Sequence, residues 1–277
     1  MLKPMDIHME SKADLHFHTW HSIDSLISPK SAVDMAVAKG IRVLGITDHD
    51  TIEGAKVAKT YAEKNNLPVE IIIGEEIYSN GGHIVGLFLK ERVESFQSLE
   101  DTLKQLQAQG AMIIIPHVTF EEDPLGEYIY RYRVSYTDLI NRPELLAMID
   151  GVEVENFQLI EPDFPNKATF INENFLQKAR IGSSDCHIKM NFGHSYTLFD
   201  GQTAEDFRRA VEKRETRAKS SKQGNHAIIN QIMGFGPIIK LPFHLILQFS
   251  YRVLIDIGHT IKNTSRKTFK TPKKERL

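Results

Sequence analysis

The sequence predicts an α/β fold in which a mostly parallel sheet closes, or nearly closes, into a barrel. Two observations carry that expectation. Short apolar runs alternate with helix-patterned segments from Ala13 to Lys213, and strands alternating with helices at this spacing indicate parallel pairing. Metal-ligating residue types also recur just past the ends of the strand candidates. In α/β barrels the carboxyl ends of the strands converge on one face, so residues far apart in sequence meet there.

Taken in order, Ala13 to Phe17 reads as a short first strand. Ser28-Pro29 starts a helix, with Ser as N-cap and Pro at the first helical position, and Gly40 stops it. Arg42 to Thr47 is a strand and Thr51 to Asn65 a helix. Val69 to Ile73 is a β-branched strand and His83 to Leu89 another. Ser98 to Gln109 is helical up to Gly110. Ala111 to Ile115 is a buried strand stopped by Pro116. Gly151 to Glu155 is a strand, Phe170 to Lys178 a helix, and Arg180 to Gly182 and Ser195 to Phe199 are short strands. Ala204 to Lys213 is the closing helix.

The 277 residues suffice for one large domain with an appendage. A barrel domain is expected over residues 10–215, and a C-terminal extension over 216–277. The hydrophobic share of 41% and charged share of 25% are those of a soluble globular protein. A net charge of -2 gives no global bias toward nucleic acid or membrane. The single cysteine, Cys186, excludes an intrachain disulfide and a cysteine-rich zinc site. It fits a cytoplasmic location. Met1 to Lys12 has no continuous apolar run, so no secretory signal is expected there.

The polar residues at the strand ends carry the chemistry. His16 and His18 end the first strand, and Asp48-His49 follow the second. Glu75 and Glu76 follow the third, His117 follows Pro116, and Asp185 and His187 follow Arg180 to Gly182. Residues two apart in a strand point to one side, so His16 and His18 can bind one cation. Imidazole with carboxylate suits Zn, Mn or Fe rather than Ca or Mg. A carboxylate such as Glu75 can bridge two ions, giving the metal pair that activates water for phosphoester hydrolysis.

These segments resemble the PHP (polymerase and histidinol phosphatase) family. The carriers are Asp14-Leu15-His16-Phe17-His18-Thr19 with Ser22-Ile23-Asp24-Ser25, then Gly45-Ile46-Thr47-Asp48-His49-Asp50 and Ile73-Gly74-Glu75-Glu76. Gly82-His83-Ile84-Val85-Gly86, Pro116-His117, Gly151-Val152-Glu153-Val154-Glu155-Asn156 and Gly182-Ser183-Ser184-Asp185-Cys186-His187 follow in the family's order. The last segment has one serine more than the family pattern. The resemblance implies a distorted (β/α)7 barrel with two or three divalent ions (Mn, Zn or Fe) at its mouth. It implies one metal on His16, His18, Glu75 and Asp185, and a second sharing Glu75 with His83 and His117. The third would take Asp24, His49 and His187, with His21 competing for the place of Asp24. His49 and His187 are the expected proton donors to a leaving group.

Between His117 and Gly151 lies a segment with Tyr128, Tyr130, Arg131, Tyr132, Arg133 and Tyr136. Arg131 and Arg133 are candidates for a substrate phosphate and the tyrosines for a base. A surface helix with aromatic packing, or a strand with one aromatic face, fits the same residues. His194, after Gly193, is a further candidate for substrate phosphate or a surface imidazole. Beyond His226 the chain is apolar, with Lys240 the only Lys or Arg up to Tyr251. Eight Lys or Arg against two acidic residues follow to Leu277. Such a tail can lie on an anionic membrane surface, pack back on the barrel or make an oligomer contact.

The expected function is metal-dependent hydrolysis of a small phosphorylated metabolite or nucleotide. Exonucleolytic cleavage of short oligonucleotides and a non-catalytic, metal-stabilised binding or membrane-scaffold module are the alternatives.

Overall fold

The structure is a computed structural model that describes residues 9–118, 133–157 and 164–221. The chain divides into two units, Met1–Ser221 and Lys222–Leu277. The second unit, and with it the apolar and basic tail, lies outside the described residues. So do Tyr128, Tyr130, Arg131 and Tyr132. No helix among the described residues is long and apolar enough to cross a membrane.

One nine-stranded sheet forms a nearly closed barrel. Its strands are β1 (Glu10–Asp14), β2 (Ile41–Ile46), β3 (Glu70–Ser79), β4 (Gly82–Leu87), β5 (Met112–Ile115), β6 (Gly151–Asn156), β7 (Ala179–Ser183), β8 (Ser195–Asp200) and β9 (Arg217–Ser220). They lie in the order β7-β6-β5-β4-β3-β2-β1-β8-β9. The helices are α1 (Pro29–Lys39), α2 (Glu53–Lys64), α3 (Leu99–Ala108), α4 (Tyr136–Ile140), α5 (Pro143–Leu146), α6 (Phe164–Ile171) and α7 (Ala204–Glu212). The predicted cap of α1 is present: Ser28 Oγ accepts from Ser31 N, and Pro29 opens the helix. α7 starts with a capping box between Thr203 and Asp206.

Parallel pairing joins β1 to β2, β2 to β3, β5 to β6 and β6 to β7. The other pairs are antiparallel, which corrects the mostly parallel sheet expected from the alternation of elements. β3 runs on to Ser79 and turns directly into β4 as a hairpin pairing Tyr78 with His83. β8 runs antiparallel to β1, and β9 to β8. β9 extends the sheet past residue 215, where the sequence suggested the barrel domain would end.

Two other expectations shift. The ladder of β1 stops at Asp14, whose Oδ1 accepts from His16 N and Ser184 N, so the backbone leaves the strand before His16. The helix expected over Phe170 to Lys178 is the end of α6 followed by a π-helical turn, Asn172–Leu176. Gln177 N closes that turn on Asn172 O, and the Asn172 side chain bonds both main-chain groups of Lys178.

The central core joins Ala13, Val43, Ile72, Ile114 and Ile181 of the sheet, and Leu15 just past β1, to Phe207 and Val211 of α7. Ala204 N donates to Glu70 at the start of β3, and Arg208 to Gly110 O just before β5. Helix α7 therefore plugs the end where parallel strands begin and leaves the opposite end for the site. Outer cores pack α1 and α2 on one side of the sheet and α3 to α6 on the other.

Closure across β7 uses side chains instead of a ladder. Gly182 N donates to Thr197 Oγ1, which donates to Gly182 O, each at 2.9 Å. A Cβ at Gly182 would lie 2.6 Å from Tyr196 O and 3.2 Å from Lys219 N. Gly182→Ala is expected to destabilise the fold by about 1–3 kcal/mol through overpacking, read as a lower urea midpoint at unchanged slope.

Candidate metal centre

The mouth of the barrel gathers eight histidine and acidic side chains around one glutamate. The sequence reading puts Glu75 in that place, whereas the structure puts Glu76 there. His16 Nε2, His18 Nε2 and His49 Nδ1 stand 3.1, 3.3 and 3.3 Å from Glu76 Oε2. His83 Nδ1 and His117 Nε2 stand 2.8 and 3.2 Å from Oε1. Glu75 points to the other face of β3. Its Oε2 accepts from Val93 N, Arg92 lies 3.6 Å from Oε1, and burial pushes its carboxyl up to about 8. The bridging role expected for Glu75 is therefore corrected: adjacent residues of a strand face opposite ways. Glu76 shares its side of β3 with Ile72 of the central core, while Glu75 shares its side with Ile71 and Ile77 of the outer cores.

Four overlapping sets of donor atoms lie close enough to hold a cation: His16-His18-Asp185, His16-Glu76-His117, His49-Glu76-His83 and His18-Asp24-His49-His187. Asp185 Oδ1 is 3.4 Å from both His16 Nε2 and His18 Nε2. Asp24 Oδ2 is 3.3 Å from His49 Nε2 and 3.1 Å from His187 Nε2. His21 is absent from these sets; its ring reaches Thr19 Oγ1 instead. His83 is reached by the β3–β4 hairpin, which puts it near the beginning of an antiparallel strand, not past the end of a parallel one.

The donors fit divalent metal. His16 Nε2, His18 Nε2 and Asp185 Oδ1 are buried and make no hydrogen bond. Bonds of about 2.0–2.2 Å to nitrogen and oxygen give tetrahedral ligand–ligand edges of about 3.4 Å, close to the 3.1–3.4 Å separations among these atoms and Glu76 Oε2. The opposite ring nitrogens are held from outside, which leaves Nε2 to face the centre. His16 Nδ1 lies 2.9 Å from Glu153 Oε1, His18 Nδ1 3.1 Å from Ser22 Oγ, and His187 Nδ1 3.0 Å from Asp185 O.

Burial disfavours charge here, yet neighbouring charges reverse it. Against burial, Asp24 and Glu76 raise His49 to about 10, and Asp24 with Asp185 raises His187. Against burial, His16, His83 and His49 hold Glu76 well below the usual carboxylate range. His117 and Asp185 both adopt left-handed backbone, with φ of 35° and 49°, a strain that clusters at functional sites.

Behind the ligand candidates stand residues that support them. Glu153 accepts from His117 N and Asn156 Nδ2 besides His16, and Asn156 Nδ2 also reaches Asp185 Oδ2. The Glu153 motif was visible, but not that its side chain faces His16. Asp48 takes the Thr19 N–H, the Thr19 hydroxyl and the Ser22 hydroxyl. Tyr78 stacks on His49 with centroids 4.9 Å apart. The proposed phosphate binders are less central. The main chain of Arg133 passes against Gly82, whose added Cβ would lie 2.7 Å from Arg133 C. His194 belongs to none of the four sets; it stacks on Phe157 and lies 3.1 Å from Ser221 Oγ.

Glu76→Gln is expected to lose bound metal, while Glu75→Gln retains it, as read by elemental analysis of purified protein. Glu153→Gln is expected to weaken metal affinity by about 10–100-fold, measured by competition with a chromophoric chelator.

A model of the PHP domain matches residues 14–148, and one of a PHP-associated C-terminal domain matches residues 175–216. An uncharacterized protein of Methanocaldococcus jannaschii is 39% identical over 116 residues, 38% of this chain and 67% of that one. A 5'-3' exoribonuclease of Haemophilus influenzae is 37% identical over 110 residues, 38% of this chain and only 39% of that one. Among solved structures, a two-domain Bacteroides vulgatus protein containing a predicted PHP-like metal-dependent phosphoesterase aligns over 79% of this chain and 67% of its own, with a TM-score of 0.63 at 21% identity. That likeness matches the barrel. The mouth of clustered imidazoles and carboxylates, the sheet that carries it and these matches agree: the chain belongs to the PHP family of metal-dependent phosphoesterases.

Proposed function

We propose that this chain hydrolyses a phosphate ester of a small phosphorylated metabolite or nucleotide at a three-ion centre. The supporting observation is that Glu76 faces imidazoles with both oxygens: His16, His18 and His49 with Oε2, and His83 and His117 with Oε1. One ion would take His16, His18, Glu76 and Asp185. A second would take Glu76, His83 and His117, and a third Asp24, His49 and His187. The imidazole and carboxylate donors suit Mn, Zn or Fe. Such ions supply positive charge to phosphate oxygens and acidity to water.

The residues divide the work by depth. His16 and His18 are sealed from solvent, while the side chains of His49, His187 and Asp24 are 10%, 12% and 22% exposed. The leaving group therefore departs on the Asp24 side. His49 and His187 would give it a proton when they hold no ion; Asp24 beside them raises the affinity of both for that proton. Arg133, with Arg131 from outside the described residues, and His194 at the rim would bind further phosphate.

A second reading is exonuclease-like cleavage of short oligonucleotides. It is favoured by the relative named an exoribonuclease, although this chain spans well under half of that protein.

Protein loaded with Mn, Fe or Zn is expected to release phosphate from some member of a monoester panel. His16→Ala is expected to lose bound metal and turnover together. Full turnover in that variant would sink the assignment. Product analysis on a 5′-phosphorylated oligonucleotide separates the two readings: mononucleotides appearing stepwise favour the diesterase, and loss of the terminal phosphate alone favours the monoesterase.

A further inference from the structure

The loop from Thr19 to Ile27 carries a feature that metal binding does not explain. Trp20, the chain's only tryptophan, is 60% exposed, and Ile23 and Leu26 of the same loop are exposed as well. Large apolar side chains left in water forgo the stabilisation of burial. Here they do so on a backbone that is firmly held. Trp20 N donates to Ile27 O at 2.8 Å, Ser25 Oγ to His18 O at 2.9 Å, and Thr19 bonds Asp48 through both its N–H and its hydroxyl. The start of α2 closes on this network: a Cβ at Gly54 would lie 1.9 Å from Asp48 Oδ2 and 2.5 Å from Thr19 Oγ1.

The position is informative too. His18 stands two residues before Trp20 and Asp24 four after it, and both belong to the donor set that opens to solvent. The neighbouring loop after Asp185 is joined to this one by His18 N donating to Cys186 O, and it exposes Met190. An apolar rim thus borders a charged centre. A substrate whose phosphate sits on the centre must project its remainder over the rim. A planar heteroaromatic ring in that remainder can stack on an exposed indole.

We propose that Trp20 is the stacking platform for the nucleobase of a nucleotide substrate, a proposal that rests on the phosphoesterase reading above and narrows its substrate class. Ile23 and Leu26 of the same loop, and Met190 of the neighbouring one, are further apolar side chains left exposed.

The single tryptophan makes the test direct. Fluorescence of the full-length protein, excited at wavelengths that adenine does not absorb, is titrated with AMP, ribose 5-phosphate and inorganic phosphate. Saturable quenching by AMP, absent with the two ligands that lack a ring, is the expected result. Equal changes with AMP and ribose 5-phosphate, or no change with AMP, would overturn the proposal. Anionic phosphatidylglycerol vesicles that shift the emission when AMP does not would assign the rim to a lipid surface and equally overturn it. In kinetics, the preference in kcat/KM for AMP over ribose 5-phosphate should fall about tenfold in Trp20→Ala and be largely kept in Trp20→Phe. An undiminished preference in Trp20→Ala would also reject it. The fluorescence readout needs no turnover, so a protein that binds AMP on Trp20 but hydrolyses no ester would fail the phosphoesterase reading and leave the base site standing.

Discussion

A single buried carboxylate organises this molecule. Glu76 is 1% exposed, and an uncompensated charge at that depth is prohibitively costly. Five imidazoles therefore crowd its two oxygens, and for two of them the surrounding carboxylates favour the protonated form. His16 is shifted upward and His49 to about 10 by the carboxylates around them, against the opposing effect of burial. Divalent cations offer the same compensation with more charge per site and displace those protons on binding. The charge balance of the barrel mouth and its capacity for metal are one physical property.

That requirement explains features of the fold that look irregular as a barrel. A parallel strand ends at the mouth and must return outside the sheet, delivering donors only past its last residue. The β3–β4 hairpin stays in the sheet and so presents Glu76, Tyr78 and His83 from two paired strands. The left-handed backbone at His117 and Asp185 turns the chain at the ends of β5 and β7, where these donors meet the centre. Behind the donors, Glu153 holds His16, Ser22 bridges His18 and Asp48, and Asn156 reaches Asp185. These partners hold ring orientations, which is why their removal is felt at the metal and not only in stability.

Charged and apolar surfaces meet at the rim, and each follows from the loop beneath it. The Asp48 network locks Thr19 to Ser22 below, so the outer residues of that loop cannot collapse inward. Trp20 and Leu26 accordingly remain exposed to water. Cys186, by contrast, is buried beneath the same loops, and burial raises its thiol far above the ordinary range; it belongs to the packing and not to the chemistry.

The sequence by itself determined the kinds of residue available and their order along the chain. The alternation of apolar and helical segments was legible because periodicity is local, and the Ser28-Pro29 cap was legible because capping is chemistry between near neighbours. His16, His18, His49, His117, Asp185 and His187 could be singled out because each follows an apolar strand. Tertiary structure decided the rest. Whether Glu75 or Glu76 faces inward depends on which side of β3 meets the central core, and a two-residue alternation carries no label for inside. The antiparallel course of β4, β8 and β9 depends on pairing partners distant in sequence. The choice of Asp24 over His21 depends on a loop folded by Asp48, nearly thirty residues away from Thr19. Ligand types are a property of residues, whereas a common centre is a property of distances, and only the closed sheet brings those distances to about 3 Å.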